Sequence, residues 1–429
     1  MRYLLMIVLA LFTFPVLAQE DELPECPAFV IDALTEVKEQ CANTGRDEVC
    51  YGSVEVEGVP QPNVRIIFNE PGDIVTLNAL QQLLVQSNLP ADEWGLALLR
   101  VRMSLDDDTS QNVVMLIFGD ATMDDFSGNM QAFTFTSGAN DAPCEQAPES
   151  GLLIQTPEGE GEITFLVNEI DIQLGSTAFI QTEPDIMIFS ILEGEGRVTV
   201  DDEIRIVPAG AWTFIPIDEN GNVTGIPSDA LPYEEEEHRN IPINMLDREV
   251  YLPRPMIDLP LGGGLDESTT YAGETHSYRL IANQGERIIV NAEASGEMEW
   301  QLTAPDGRIV AEGLTFDHTF AQSGNYILTG GSPQSAVDYR LDVFRVIEVD
   351  GERTFTTIDG ELNYIFAAEG GHDLALELET NDDVMMELLD LEGNLIASGN
   401  EIRGANPTDF VFRLRLMGEG SFWLTVWYE

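Results

Sequence analysis

Four cysteines are the residues whose chemistry the sequence constrains most: Cys26, Cys41, Cys50 and Cys144. Their spacing matches no common zinc-ligand pattern, so we do not interpret them as a metal site. An even number of cysteines in an oxidising compartment indicates disulfides, and we predict two bridges among these four. The sequence leaves all three pairings open. A bridge from Cys144 to one of the three early cysteines would fasten the end of the first domain to its first helix.

The four histidines give no catalytic pattern: His238, His276, His318 and His372. The chain contains no Gly-x-Ser-x-Gly or His-Glu-x-x-His motif, which would place a nucleophile or a metal beside a base. His238 follows four glutamates and would be a metal ligand or a solvated histidine; we expect the solvated histidine. Carboxylates are so numerous that no catalytic pair can be selected. We therefore predict no catalytic residue, no metal ligand and no cofactor, and a protein that is not an enzyme.

The charge balance narrows the classes of partner. The chain has 76 acidic and 20 basic residues, for a net charge of −56. Such a charge repels nucleic-acid phosphates and anionic lipid heads, so neither is an expected partner. We interpret the acidity as solubility and mutual repulsion in a saline exterior; cation binding by the carboxylates is the alternative.

The first residues, MRYLLMIVLALFTFPVLAQ, have the composition of a secretory signal. A basic residue precedes an apolar run that is short for a membrane span, and Val16-Leu17-Ala18 provides a small-residue cleavage site. We predict that residues 1–18 are a signal peptide and that the mature protein is secreted or on the cell surface. No later stretch is apolar enough to span a bilayer, so we expect no membrane insertion after cleavage.

Residues 26–147 have a mixed pattern. Apolar residues recur at helical spacing from Cys26 to Asn43, and we predict a second short helix from Asn78 to Asn88. Strands are expected over 94–103, 113–118 and 131–136. These features predict a small disulfide-containing α+β domain. The segments CPAFV, GRDEVCYG, WGLALLRVRM and NVVMLIFGDA resemble an N-terminal module of uncharacterised exported bacterial proteins, which implies export and no particular activity.

Residues 151–226 alternate short strand-like segments with turns. The strands are expected at 151–155, 162–167, 170–174, 177–181, 187–192, 197–200, 204–207 and 212–217. Short strands at this regular spacing predict a sheet folded on itself. The stretches TPEGE (156–160), IQLGSTA (172–178) and ILEGEGRVTV (191–200) resemble the FecR-type periplasmic sensor domain. That resemblance implies an all-β fold and, in the family, transfer of a signal across an envelope.

Residues 227–264 follow as a Pro/Glu-rich segment, which we predict to be an extended linker. The remaining chain then contains the same hairpin pattern twice. TAPDGRIVAEG (303–313) is matched position by position by LDLEGNLIASG (389–399). Asp-Gly or Glu-Gly between apolar runs allows a tight hairpin, because glycine adopts the left-handed conformation without steric penalty. We predict two tandem β-sandwiches, 265–347 and 348–429.

Both copies resemble the pre-peptidase C-terminal (PPC-like) β-sandwich family. The resemblance is carried by an aromatic strand, a Gln284-Gly285 or Gly370-Gly371 turn, the repeated hairpin and a closing Gly-x-aromatic strand. Some members bind calcium through paired aspartates after the hairpin. This chain has Glu312-Gly313 and Ser398-Gly399-Asn400 there, so calcium is an alternative to the expected absence of any cofactor.

These patterns together predict a mainly β, multi-domain protein: a small α+β N-terminal domain, a FecR-like all-β domain and two tandem β-sandwiches. The function that they favour is a secreted or cell-surface, non-catalytic binding or adhesion protein whose partner is an extracellular protein or glycan. Two alternatives stay open. One is a sensor-like ectodomain that acts with a separate membrane protein, and the other is an extracellular hydrolase with accessory C-terminal modules.

Overall fold

The structure is a computed structural model that describes residues 34–429 apart from 36, 54, 89–92, 105–109, 125–131, 139–143, 145–146, 158–161 and 407. The described residues form 34 strands and very little helix. The predicted mainly β, multi-domain fold class is therefore confirmed. Residues 34–35 and 37–40 are helical, in agreement with the end of the predicted first helix. The rest of that helix, the predicted signal peptide and Cys26 lie outside the described residues.

Two large sheets form the first part of the molecule. The nine-stranded sheet has the spatial order β19 (Leu231–Pro232), β18 (Ala211–Pro216), β15 (Ile186–Glu193), β14 (Thr177–Thr182), β11 (Gly151–Gln155), β8 (Ser110–Phe118), β7 (Leu96–Ser104), β1 (Glu48–Tyr51) and β3 (Ile74–Thr76). The eight-stranded sheet has the order β17 (Glu203–Pro208), β16 (Glu195–Val200), β13 (Ile170–Leu174), β12 (Ile163–Val167), β10 (Ala132–Ser137), β9 (Ala121–Asp124), β4 (Leu80–Val85) and β2 (Val56–Pro60). A small hairpin, β5 (Ser87–Asn88) and β6 (Glu93–Trp94), lies beside them.

Each of these two sheets contains strands from both residues 26–147 and residues 151–226, and the two sets meet at one strand pair in each sheet. β8 pairs antiparallel with β11, and β10 pairs parallel with β12. One hydrophobic core lies between the sheets and includes side chains from both segments, for example Val49, Met115, Ile154 and Phe189. The segments that the sequence suggested as separate domains therefore fold here around a shared core.

The nine-stranded sheet is buried on both faces. In β8, Val113, Met115 and Ile117 belong to the core between the sheets. Val114, Leu116 and Phe118 belong to a second core on the opposite face. A strand buried on both faces needs a continuous apolar run instead of an alternating one. This explains the continuous apolar runs at residues 96–99 of β7 and 113–118 of β8.

The second core is covered by a segment that we call the strap, residues 231–256. The strap contains β19, a short helix (Glu235–His238) and a 3₁₀ turn (Ile243–Met245). Its apolar side chains are buried against the sheet: Ile241, Met245, Leu246 and Val250. An extended linker was predicted here; the segment is instead packed, because these apolar residues lie between the prolines and glutamates that suggested a solvated chain.

The helix predicted from Asn78 to Asn88 is absent, and that prediction is wrong. Leu77–Ala79 form a single 3₁₀ turn, and β4 follows at once. Leu80, Leu83 and Val85 are buried in the shared core, while β4 pairs with β2 and β9. Burial in a sheet therefore outweighs the weak helical periodicity of this stretch.

The remaining strands form two further sheets. The five-stranded sheet has the order β20 (Ile257–Asp258), β22 (Thr275–Ala282), β27 (Gly324–Gly331), β24 (Glu299–Thr303) and β25 (Ile309–Glu312). The ten-stranded sheet has the order β26 (Thr315–Thr319), β23 (Arg287–Ala294), β28 (Asp338–Val346), β29 (Arg353–Ala368), β34 (Phe410–Tyr428), β30 (His372–Thr380) and β33 (Glu401–Asn406). β21 (Gly264–Ser268) joins β28, β31 (Asp383–Leu389) joins β34, and β32 (Leu395–Ser398) joins β31.

These sheets enclose two separate cores. Residues 257–343 contribute to one, around Tyr278, Trp300 and Leu341. Residues 347–428 contribute to the other, around Tyr364 and Leu414. We call the two units sandwich 1 and sandwich 2. A short parallel pairing of β28 with β29, at Arg345–Tyr364 and Val346–Ile365, makes their main sheet continuous.

The repeated sequence forms the same hairpin in each sandwich. The hairpins β24–β25 and β31–β32 are offset by 86 residues (393 − 307), and each carries an irregularity at the equivalent step, Leu302/Thr303 and Leu388/Leu389. Three backbone hydrogen bonds recur at that offset, with the donor N–H given first: Ala304–Arg308 and Asp390–Asn394, Gly307–Ala304 and Gly393–Asp390, Gly313–Trp300 and Gly399–Met386. The internal repeat in the sequence is thus a repeat of hydrogen-bonded structure.

Candidate functional site

An open groove in sandwich 2 combines exposed apolar side chains with carboxylates; we call it the acidic groove. Its volume is about 690 Å³. Four acids line it: Glu348, Glu369, Glu392 and Asp409. The remaining lining residues are apolar or aromatic: Val349, Ala367, Ala368, Leu391, Phe410, Val411 and Tyr428. Phe410 is 40% exposed and Leu391 is 51% exposed. No lysine or arginine is among these lining residues.

Backbone hydrogen bonds fix one wall of the acidic groove. The Glu369 N–H donates to the Tyr428 hydroxyl at 2.7 Å, and the Gly370 N–H donates to Asp409 Oδ1 at 2.7 Å. The Asn406 side-chain amide donates to the Glu369 carbonyl at 2.9 Å. A side chain at Gly370 would meet the backbone of Thr408, so only glycine fits this turn. The groove is therefore built on braced backbone.

A second groove, of about 840 Å³, lies on sandwich 1. Its lining is mainly polar and includes Thr275, Glu299, Gln301 and Glu312. It lacks the exposed aromatic ring of the acidic groove, since its one aromatic lining residue, Trp300, is only 2% exposed. Exposed apolar surface that adjoins polar groups is the usual feature of an interaction site. We therefore take the acidic groove as the better candidate.

An exposed aromatic pair occurs elsewhere on sandwich 2, on neighbouring strands. Phe355 and Trp423 are direct cross-strand partners with ring centroids 5.0 Å apart. The Arg353 guanidinium lies 4.5 Å from the Trp423 ring centroid and pairs with Glu379. Because the protein's own arginine occupies the cation site over this indole, the pair is already partnered within the chain.

A chain of buried hydrogen bonds links the strap to sandwich 1. His276 is 1% exposed; its Nε2 lies 2.9 Å from Glu274 Oε1 and its Nδ1 lies 2.5 Å from the Tyr339 hydroxyl. The Tyr339 hydroxyl also bonds that of Tyr278, to which Arg254 Nη2 donates at 3.4 Å. One arrangement satisfies every group: neutral His276 donates from Nε2 to Glu274 and accepts from Tyr339, while Tyr278 donates to Tyr339.

The protonation equilibria agree with this arrangement. Burial lowers the pKa of His276 below its ordinary value, although Glu274 acts in the opposite direction. Burial also acts against ionisation of Glu274, but hydrogen bonds from Thr270 and His276 outweigh it and lower the pKa of Glu274. Burial raises the pKa of Tyr278 to about 12. None of these side chains lines either groove, so the chain of bonds serves to join the strap to the sandwich.

His238 contacts a serine hydroxyl, as a catalytic base would, but both residues are buried. Its Nε2 lies 3.0 Å from Ser190 Oγ and its Nδ1 lies 2.8 Å from the Glu234 carbonyl oxygen. His238 is 5% exposed and Ser190 is fully buried. A nucleophile needs a space for the substrate beside it, and neither residue lines a groove described here. The pair attaches the strap to β15.

The expectation of a solvated His238 is wrong, because the strap folds this residue under Tyr233, with ring centroids 4.3 Å apart.

The other two histidines lie in strands of the two sandwiches. His318 is in β26, and His372 begins β30 after the Gly370-Gly371 turn. Their rings contact Phe320 and Tyr428 respectively, with centroids 5.2 Å and 5.3 Å apart. The four histidines are not brought together in one site.

The cysteines bear out part of the disulfide prediction. Cys41 and Cys50 form a disulfide that closes the turn between the first helix and β1. Cys144 is also disulfide-bonded and fully buried. All three of these cysteines belong to the core beneath the strap.

Within the described part of the chain, no three His, Cys, Asp or Glu side chains are arranged to hold a metal ion. No described helix is both long enough and apolar enough to span a bilayer.

No protein-family model matches the chain, and no curated protein sequence matches it significantly. Among solved structures, it is similar to the periplasmic g-type lysozyme inhibitor PliG of Aeromonas hydrophila at 14% identity, over 20% of this chain and 96% of that one, with a TM-score of 0.18. It is similar to the PBSX exported protein XepA at 13% identity, over 49% and 97%, with a TM-score of 0.15. It is similar to the CUB1-EGF-CUB2 segment of human MASP-1/3 at 9% identity, over 38% and 98%, with a TM-score of 0.14. TM-scores this low carry no argument about function.

Sequence reasoning missed the acidic groove entirely. Its lining comes from five separate parts of the chain: residues 348–349, 367–369, 391–392, 409–411 and Tyr428. One signal was available: Leu391 is an apolar residue in the turn of the second hairpin, where the first has Pro305. A single exposed apolar residue is common on protein surfaces, so this signal alone does not predict a contact surface.

Proposed function

We propose that this chain is an exported, non-catalytic binding protein that holds an extracellular macromolecule on its C-terminal sandwiches. The acidic groove carries the proposal, because it is open, braced and lined by exposed apolar side chains that nothing in the described structure covers. The secretory character of residues 1–18 and the disulfides support an extracellular location. The enclosed positions of His238 and His276 favour binding over catalysis.

A binding panel tests the proposal. The mature chain from Gln19 would be immobilised and exposed to neutral polysaccharides, acidic polysaccharides and purified basic proteins. We expect saturable retention of at least one of these ligands. The double variant Leu391→Ser/Phe410→Ser should weaken it at least tenfold, because both residues line the groove. Met385→Ser is the matched control, since Met385 is exposed on the same sandwich but outside the groove. Retention that the double variant leaves unchanged would refute the groove as the binding site.

A further inference from the structure

The acidic groove has an unbalanced charge. None of Glu348, Glu369, Glu392 and Asp409 is in an ion pair formed by the described residues, although Glu348 is near enough to Arg287 to add to the rise that Asp317 causes in the pKa of that arginine, and Asp409 accepts a hydrogen bond from a backbone N–H. Some exposed carboxylates elsewhere on sandwich 2 are paired, for example Glu379 with Arg353 and Glu401 with Arg403. Several carboxylates around a concave, partly apolar surface produce a focused negative potential. The groove therefore attracts cations and repels anions.

The same groove offers a place for a hydrocarbon chain. Leu391 and Phe410 are both about half exposed there, and Val349 and Val411 adjoin them. A lysine or arginine side chain has a stem that gains from apolar contact and a charged head that gains from carboxylates. Phe410 also offers an aromatic ring to a cationic head, and Arg353 does not reach it because Arg353 lies over Trp423.

Resting on the proposed function, we propose that the acidic groove binds a lysine- or arginine-rich segment of a partner protein, with the stem of a basic side chain on Leu391 and Phe410 and its charged head among the carboxylates. Charge complementarity selects this occupant. A neutral glycan would leave the carboxylates unpaired, which is unfavourable in a contact that excludes water. A second copy of the chain brings the same net charge of −56. A bare metal ion is disfavoured, since no three His, Cys, Asp or Glu side chains of the described residues are arranged to hold one.

The test uses hexalysine as the probe and hexaglutamine as its neutral counterpart, with the full mature chain, by isothermal titration calorimetry in 20 mM and 500 mM NaCl. We expect saturable binding of hexalysine that is at least tenfold weaker at the higher salt concentration, because ions screen exposed charges. Hexaglutamine should not bind.

Two charge-matched double variants separate the groove from the general acidity of the chain. Glu369→Gln/Glu392→Gln removes two groove carboxylates, and Glu377→Gln/Glu419→Gln removes two exposed carboxylates of the same sandwich outside the groove. We expect the first variant to weaken hexalysine binding at least tenfold and the second less than twofold. Phe410→Ser, which leaves the charge unchanged, should weaken it about fivefold through lost stem contact.

Equal losses in the two double variants would overturn the inference, because they would show attraction to the whole acidic chain only. Binding of a neutral polysaccharide that depends on Phe410, without binding of hexalysine, would overturn this inference and leave the proposed function standing. Absence of any groove-dependent ligand in the panel would remove both.

Discussion

At the scale of single residues, burial raises the pKa of Glu195 and lowers the pKa of His276, so the two residues affect stability at opposite ends of the pH range. Burial raises the pKa of Glu195 to about 7; Arg197 opposes the shift and Glu162 adds to it. The folded state therefore holds this proton more tightly than the unfolded state. The resulting stability is fully present below the unfolded value near 4.5 and is lost as the pH rises through about 7. For His276 the folded pKa is lowered, so its contribution is present above the ordinary histidine value and is lost on acidification.

Replacing Glu195 with glutamine removes the buried charge. We expect Glu195→Gln to raise the free energy of unfolding at pH 8 by on the order of 1–2 kcal/mol and by clearly less at pH 5, where Glu195 is protonated in the folded state and only partly ionised in the unfolded state. Urea unfolding followed by tryptophan fluorescence at the two pH values measures this. Glu219→Gln, in an exposed turn, is the control. An equal effect of Glu195→Gln at both pH values would contradict the assignment.

The Cys41–Cys50 disulfide closes a loop of nine residues in the core beneath the strap. The double variant Cys41→Ala/Cys50→Ala should lower the free energy of unfolding by about 2–3 kcal/mol, since it restores freedom to the unfolded chain. The midpoint of urea unfolding gives the value. Wild-type protein treated with a reductant should have a midpoint no higher than that of the variant, since reduction also opens the bridge of Cys144. An unchanged midpoint in the variant would contradict the prediction.

At the scale of elements, two long strands define sandwich 2. β29 and β34 pair along almost their full lengths, and β34 also pairs with β30 at one end and β31 at the other. Glycines lie opposite each other where β34 passes from one partner to the next: Gly360 pairs with Gly418. Both have positive φ, +101° and +138°. The bend therefore depends on residues without a side chain.

Gly418→Ala should be strongly destabilising. Its Cβ would lie 2.0 Å from the Asp383 carbonyl oxygen, and its φ of +138° is unfavourable for any other residue. We expect a loss of roughly 3 kcal/mol or more in the free energy of unfolding. Gly393→Ala is the matched control: its φ is +84° but its surroundings are open, so a loss of about 1 kcal/mol is expected. Thermal and urea unfolding of both variants measure the difference, and equal losses would contradict the steric argument.

Some elements could be predicted because their sequences carry local signals. The eight strands expected between residues 151 and 217 are all present within two residues of their predicted ends, since turns such as Gly194 and Gly210 interrupt short apolar runs. The repeated hairpins were predictable for the same reason. The strand β4 could not be predicted, because its conformation depends on pairing with β2 and β9, which are distant from it in sequence. The acidic groove was not predictable, because it depends on which strand ends meet.

At the scale of the whole molecule, the charge of −56 acts on folding as well as on binding. Most arginines are committed to ion pairs with nearby acids, for example Arg248 with Glu193 and Arg345 with Glu286. The remaining carboxylates repel one another across a compact surface. This repulsion is weaker in an expanded chain, so it opposes folding at low ionic strength.

Salt should therefore stabilise the protein. Between 20 mM and 1 M NaCl we expect the midpoint of thermal unfolding to rise by several degrees, because added ions screen the repulsion among carboxylates. Differential scanning calorimetry at fixed pH measures the midpoint. Sodium chloride is preferable to sulfate, which also strengthens hydrophobic burial. A midpoint that falls or stays constant would show that ion pairs outweigh the repulsion.

The strap also decides where this protein can be divided. Four apolar side chains of the strap cover the outer face of β7, β8, β11 and β14: Ile241, Met245, Leu246 and Val250. A fragment ending at Pro216 would leave Leu98, Leu116, Leu153 and Phe179 in contact with water, and such a surface promotes aggregation. The smallest soluble piece of the N-terminal half should accordingly extend to Met256, well past its last full-length strand.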